Sequence, residues 1–146
     1  MIVHWPDGIK DAGKLCHDPC HFVDVLPTLV DLAGGRAAAE GGPRLAGESF
    51  APALQKDGSV AREFLYFNHN DNRAIRVGDW KLIATGVDGP WELYDLSKDR
   101  CEQRDMAGAQ AERVRKLAAM WSARDAEYAR VRESAPPSTR VRMRNG

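Results

Sequence analysis

Asn72-Arg-Ala-Ile-Arg-Val-Gly-Asp-Trp-Lys-Leu-Ile83 alternates apolar and polar side chains on either side of Gly78-Asp79, a residue pair of the kind that closes two-residue β-hairpins. Read as two strands, it places Ile75, Val77, Trp80 and Leu82 on one face. It also brings Arg76 and Lys81 close across the hairpin, where like charges disfavour each other, so an acid is expected beside them; Asp79, Glu92 and Asp95 are the candidates. Working outward, residues 64–67 and 91–93 are further short β-type runs. Asn68-His-Asn-Asp-Asn72 reads as a loop and residues 86–90 as a turn. The economical arrangement is a four-stranded antiparallel meander over residues 64–67, 74–77, 80–84 and 91–93. Beyond it, a helix is expected over residues 110–132, because Val114, Leu117, Trp121, Tyr128 and Val131 recur at helical spacing with Arg124 the one polar intrusion. That helix should cover one face of the meander.

Upstream, Met1-Ile-Val-His-Trp5 closed by Pro6-Asp7-Gly8 reads as a strand ending in a turn. Phe22, Val25, Leu26, Leu29, Leu32 and Ala33 follow the spacing of an amphipathic helix, with Asp24 placed to cap it, Pro27 in its first turn and Gly34 to stop it. Residues 34–48 read as a connecting loop, followed by a short helical segment over 50–54. The fold class is therefore α+β: a four-stranded antiparallel meander packed by a C-terminal helix and preceded by a strand and a helix. Three regions are expected, 1–60, 61–133, and a disordered tail over 134–146 that holds Pro136-Pro137 and alternating arginines.

The 146 residues are 43% hydrophobic, enough for a core of about one domain. Lys and Arg number 21, as do Asp and Glu, which argues against a dedicated nucleic-acid partner. The balance conceals an asymmetry: residues 1–97 hold 9 basic and 14 acidic side chains, net −5, and residues 98–146 hold 12 and 7, net +5. No run of 18 apolar residues is present, so no membrane partner is expected. Three cysteines, Cys16, Cys20 and Cys101, are too few and too odd in number for a disulfide framework, although Cys16 and Cys20 could pair in an oxidising compartment.

Cys16-His-Asp-Pro-Cys-His21 gathers several side chains of the types that bind zinc. Its cysteines are separated by three residues and no second ligand pair follows, so an ordinary turn before a helix is expected and no metal ligand is assigned. Asp24 and Asp31, two turns apart on one helix, are too far apart to form an acid–base pair; capping and solvation are the expected roles. No G-x-S-x-G, phosphate-binding loop or H-E-x-x-H is present, so no catalytic or cofactor-binding residue is assigned either. The polar segment around Asn68 is where a ligand could be met, with His69, Asn70 and Asn72 as the substrate-contact candidates.

Four further segments occur in a telling order: Met1-Ile-Val-His-Trp-Pro6 with Gly8-Ile9; His21-Phe-Val-Asp-Val-Leu-Pro-Thr-Leu-Val-Asp-Leu-Ala-Gly34; Leu45-Ala-Gly-Glu-Ser-Phe50; and Arg73-Ala-Ile-Arg-Val-Gly-Asp-Trp-Lys-Leu82 followed by Trp91-Glu-Leu-Tyr-Asp-Leu96. As an ordered set over about residues 1–130, they resemble the C-terminal part of a sulfatase of the arylsulfatase type, in the alkaline-phosphatase-like superfamily. Asp99-Arg-Cys-Glu102 stands where that family usually has Asp-Pro-x-Glu before its last helix. The resemblance implies that residues 1–60 belong to the α/β catalytic domain and 61–133 to its C-terminal subdomain. It implies sulfuric ester hydrolysis in the full-length family, by a formylglycine made from the Cys of C-x-P-x-R and with a calcium ion on the sulfate. In this chain Cys16 has Asp18, Cys20 has Phe22 and Cys101 has Gln103 where the Pro is needed, so none is the formylglycine precursor, and the family's metal ligands and catalytic Lys and His would lie upstream.

Two readings follow: a sulfatase C-terminal fragment inert by itself, or a non-catalytic binding or assembly module. The expected partner is the missing N-terminal catalytic half, or a second copy through residues 1–34. Sulfatases of this type are commonly exported, and residues near Met1 lack the succession of a signal peptide.

Overall fold

The computed structural model describes residues 1–10, 12–35 and 45–134, and the chain divides into two compact units, Met1–Leu65 and Tyr66–Gly146. The expected disordered tail lies, from residue 135 onward, outside the described residues.

In the second unit the meander forms as expected. β1 (Leu65–His69), β2 (Asn72–Val77), β3 (Trp80–Ala84) and β4 (Glu92–Asp95) lie in that order in one four-stranded sheet. Ile75 faces Leu82 and Leu82 faces Leu93 across antiparallel ladders, and all three are fully buried. The expected loop 68–72 is instead a tight turn. Asn70 and Asp71 both adopt positive φ, 46° and 64°, which a two-residue primed turn demands and which Asn and Asp tolerate best after glycine. Asn68, His69 and Asn72 are therefore strand residues.

Arg76 and Lys81 do sit opposite each other. The compensating acid is none of Asp79, Glu92 or Asp95. Lys81 Nζ pairs with Glu102 at 2.5 Å, while Arg76 Nε turns along its own strand to the Gly78 carbonyl at 2.8 Å. Glu102 sits in a turn at φ 54°, and no sheet periodicity points to a residue so placed.

The segment before the last helix is pinned by Asp99, whose carboxylate accepts from the backbone N–H groups of Gln103 and Arg104, both at 2.8 Å. These bonds hold its carboxyl below the usual range. The helix α2 (Ala111–Ser134) then packs against β2 and β3, on the face that carries Trp80 and, by strand alternation, Leu82. Leu117 is buried, the Arg113 guanidinium lies 4.0 Å from the centre of the Trp80 ring, and Trp121 meets Trp91 edge-on at 6.0 Å. Trp121 is half-buried, stacks on Tyr66 at 5.6 Å and donates its indole N–H to the Phe67 carbonyl. Val131, expected on the same stripe, is exposed. A 24-residue helix is about 36 Å long, whereas five-residue strands run about 17 Å, so its last turns overhang the sheet.

In the first unit a 3-10 turn, Phe22–Asp24, leads into α1 (Val25–Leu32). Gly34 ends the helix as expected. At φ 72° it lets its own N–H reach the Asp31 carbonyl and the Gly35 N–H reach that of Val30, the paired bonds of a Schellman close. Residues 1–5, expected as a strand, have no strand conformation, because among the described residues no other segment pairs with them. The expected helical segment near residue 50 is the short 3-10 helix Ala51–Leu54.

Helix α1 turns its apolar side outward. Pro27 and Thr28 of α1 are buried with Asp24 of the preceding 3-10 turn, while Leu26 and Leu29 of α1 and Phe22 of that turn are 55%, 60% and 87% exposed. The inward face is polar because the backbone of residues 48–50 hydrogen-bonds to it. Thr28 Oγ1 accepts from the Phe50 N–H and donates to the Asp24 carbonyl, and the Ser49 hydroxyl donates to Asp31 at 2.6 Å.

Candidate functional site

Asp24 is neither the solvated nor the simple capping residue that its position suggests. Its carboxylate makes no cap bond to α1; it is wholly buried and accepts from the His21 N–H at 2.6 Å and the Glu48 N–H at 3.0 Å. Arg62 completes it with an ion pair at 2.6 Å and reaches the Glu48 carbonyl at 3.1 Å. The close pass of the loop needs Gly47, where a Cβ would stand 2.1 Å from the Val23 carbonyl oxygen. This is an architectural knot, since both carboxylate oxygens of Asp24 are taken up by its own unit.

The three substrate-contact candidates are not gathered into a pocket-like group. Asn70 is part of the turn backbone, His69 is exposed beside it, and Asn72 accepts the Gly86 N–H at 3.0 Å. Asn72 thus acts with Arg73, whose guanidinium donates to the carbonyls of Gly86, Val87 and Gly89 and lies 4.9 Å from the Trp91 ring centre. Both residues hold the β3–β4 connection. Neighbouring Asn68 donates to Asp125, which also accepts the Tyr66 hydroxyl at 2.7 Å.

Burial first, and then the Asp125 carboxylate, push the Tyr66 phenol up to about 12. A group raised in the folded state stabilises it while protonated. That contribution is complete below the ordinary tyrosine value near 10 and fades as the pH rises through 12. Asp125→Asn should move the Tyr66 titration, followed by phenolate absorbance, downward. An unchanged titration would show that Asp125 contributes nothing.

A second cluster joins residues far apart in sequence. Cys16 Sγ lies 3.4 Å from Asp57 Oδ1 and 3.8 Å from Asp18 Oδ2, and His17 Nδ1 lies 2.9 Å from Asp57 Oδ2. Asp57 Oδ1 also accepts the His17 N–H at 2.7 Å, and Asp18 accepts the Ser59 N–H at 3.1 Å. Hydrogen bonds from the His17 ring and backbone hold the Asp57 carboxyl well below its usual range, while burial and the Asp57 carboxylate push the Cys16 thiol up. Of the hexapeptide 16–21, only Cys16, His17 and Asp18 join; Cys20 stays exposed as a free thiol, and His21 turns to the 3-10 turn, where its Nδ1 accepts the Val23 N–H. Asp57 has no motif to announce it.

The calcium and formylglycine implied by the resemblance do not fit these residues. Among the described residues, the one grouping able to hold a metal ion is Cys16, Asp18 and Asp57, a thiol with two carboxylates. A hard dication instead takes six to eight oxygens. No cysteine has the C-x-P-x-R setting, and no reaction step is assigned to either group in this chain.

A four-stranded meander under a long helix, preceded by the helix closed at Gly34, is the C-terminal architecture of sulfatases. The chain belongs to the family described as N-sulphoglucosamine sulphohydrolase, C-terminal, whose model matches residues 1–124. It is 38% identical to arylsulfatase D from Homo sapiens over 94 residues, which is 64% of this chain and 15% of that protein. Over 112 residues it is 34% identical to arylsulfatase K from Danio rerio, covering 68% of this chain and 20% of the relative. The solved structure of Ps i-CgsB superposes with a TM-score of 0.62 at 23% identity, over 82% of this chain and 27% of that one, which shows a shared fold. The chain thus spans about a fifth or less of the length of these curated relatives.

Proposed function

We propose that this chain works as the C-terminal part of an arylsulfatase-type sulfuric ester hydrolase and is catalytically inert by itself. The observation that carries the reading is the segment 22–32, the 3-10 turn with α1, whose Asp24 and Thr28 are hydrogen-bonded within their own unit and whose apolar residues Phe22, Leu26 and Leu29 are exposed. Contiguous apolar surface of this kind marks an interface. The remainder of a sulfatase is the occupant it suits, since the matched relatives are about five times longer than the matched segment or more. No cysteine in a C-x-P-x-R setting and no oxygen-rich metal shell stands among the described residues to run the hydrolysis here. The outward stripe also suits a second copy, which is the assembly reading.

One preparation tests both parts. The purified 146-residue chain should turn over no chromogenic aryl sulfate, with or without calcium. In hydrogen exchange α1 should be weakly protected while the sheet and α2 stay protected, and Leu26→Asp with Leu29→Asp should leave that protection unchanged. Calcium-dependent turnover would overturn inertness. Concentration-dependent oligomers abolished by the double substitution would put the assembly reading first, and a monomer with α1 strongly protected would overturn both.

A further inference from the structure

The cluster at Cys16 takes no part in the proposed role, and its spacing is that of a coordination shell. Zinc bonds of about 2.3 Å to sulfur and about 2.1 Å to a carboxylate oxygen, at a tetrahedral angle, put the two donor atoms about 3.6 Å apart. Cys16 Sγ lies 3.4 Å from an Asp57 oxygen and 3.8 Å from an Asp18 oxygen, one on each side of that value. All three donor atoms lie within 4.8 Å of one another.

We propose that Cys16, Asp18 and Asp57 bind a zinc ion, three protein donors with the fourth position left to water. Two features of the surroundings serve this arrangement. The donors are fixed from outside the shell: the Ser59 N–H holds Asp18, while the His17 ring and the Gly58 N–H hold Asp57. The site also joins two segments about 40 residues apart, so a bound ion would tie the stretch before α1 to the turn after the 3-10 helix Ala51–Leu54. Thiolate selects zinc over calcium or magnesium, which take oxygen ligands. This ion would accordingly be separate in kind from the hard dication of sulfate hydrolysis.

The test uses the full 146-residue chain and zinc itself, with cobalt as a spectroscopic substitute. One equivalent of zinc should bind, and calcium in large excess should not displace it. Cobalt should give a thiolate charge-transfer band that survives Cys20→Ser and Cys101→Ser and is lost in Cys16→Ser. Removing a supporting residue costs roughly ten- to a hundredfold in metal affinity, so Cys16→Ser and Asp57→Asn should each weaken zinc by at least tenfold. Should a variant misfold, the unaltered chain gives an independent readout: zinc should slow alkylation of Cys16 and leave Cys20 and Cys101 as reactive as before. Equal loss of zinc on replacing Cys20, displacement by calcium, or alkylation of Cys16 indifferent to zinc would each overturn the site.

Discussion

Arg62→Ala should destabilise the Met1–Leu65 unit by about 3–5 kcal/mol, the usual consequence of stranding a buried charge. Asp24 is entirely buried and, among the described residues, its only side-chain counter-ion is Arg62, at 2.6 Å. Two backbone N–H groups would remain on the carboxylate, neither able to neutralise it. The loss is large against a typical total of about 5–15 kcal/mol for a domain. Hydrogen exchange should then show whatever protection α1 and the 48–50 segment retain in the parent lost together while the sheet amides hold. The pair is itself imperfect, since Arg62 Nε is buried with no acceptor among the described residues. Replacing both partners, Asp24→Asn with Arg62→Met, should therefore cost clearly less than Arg62→Ala alone. A single variant that unfolds within 1 kcal/mol of the parent would show that the pair holds nothing.

Leu82→Ala should cost the second unit about 2–5 kcal/mol. Leu82 occupies the middle of the row Ile75, Leu82, Leu93, with a fully buried neighbour on each adjoining strand, so its truncation leaves a cavity inside the core. Leu82→Met keeps the volume and should cost less than about 1.5 kcal/mol. Denaturant titration of the two variants checks the difference, and equal midpoints would refute the packing argument.

The sheet was legible because its signals are local. Strand alternation and the Gly78-Asp79 turn lie within a dozen residues of one another, and β3 falls where it was expected. Helix α2 was legible for the same reason, to within two residues at each end. What the residues did not disclose is whatever depends on encounters across long separations. Glu102 reaches Lys81 from a turn 21 residues away, and Asp57 reaches Cys16 across 41. The periodicity of α1 was read correctly as amphipathic, yet its apolar side faces away from its own unit. A periodic pattern tells which side of a helix is apolar and is silent about which segment will meet each side. Asp24 misled for a related reason: its place before a helix signals a cap, and only Arg62, 38 positions later, turns it into a buried ion pair.

The aromatic contacts of α2 give the chain a built-in optical probe. Trp121 lies against Tyr66 and Trp91 and is tethered by its indole N–H to β1, whereas Trp5 in the first unit is exposed. Trp80 and Trp91 belong to the same unit, so three of the four indoles report on the sheet and the long helix seated on it, while Trp5 follows the first unit. Replacement of Trp5 by Phe leaves emission from the second unit alone, so its melting is read separately from that of the first, with no label attached.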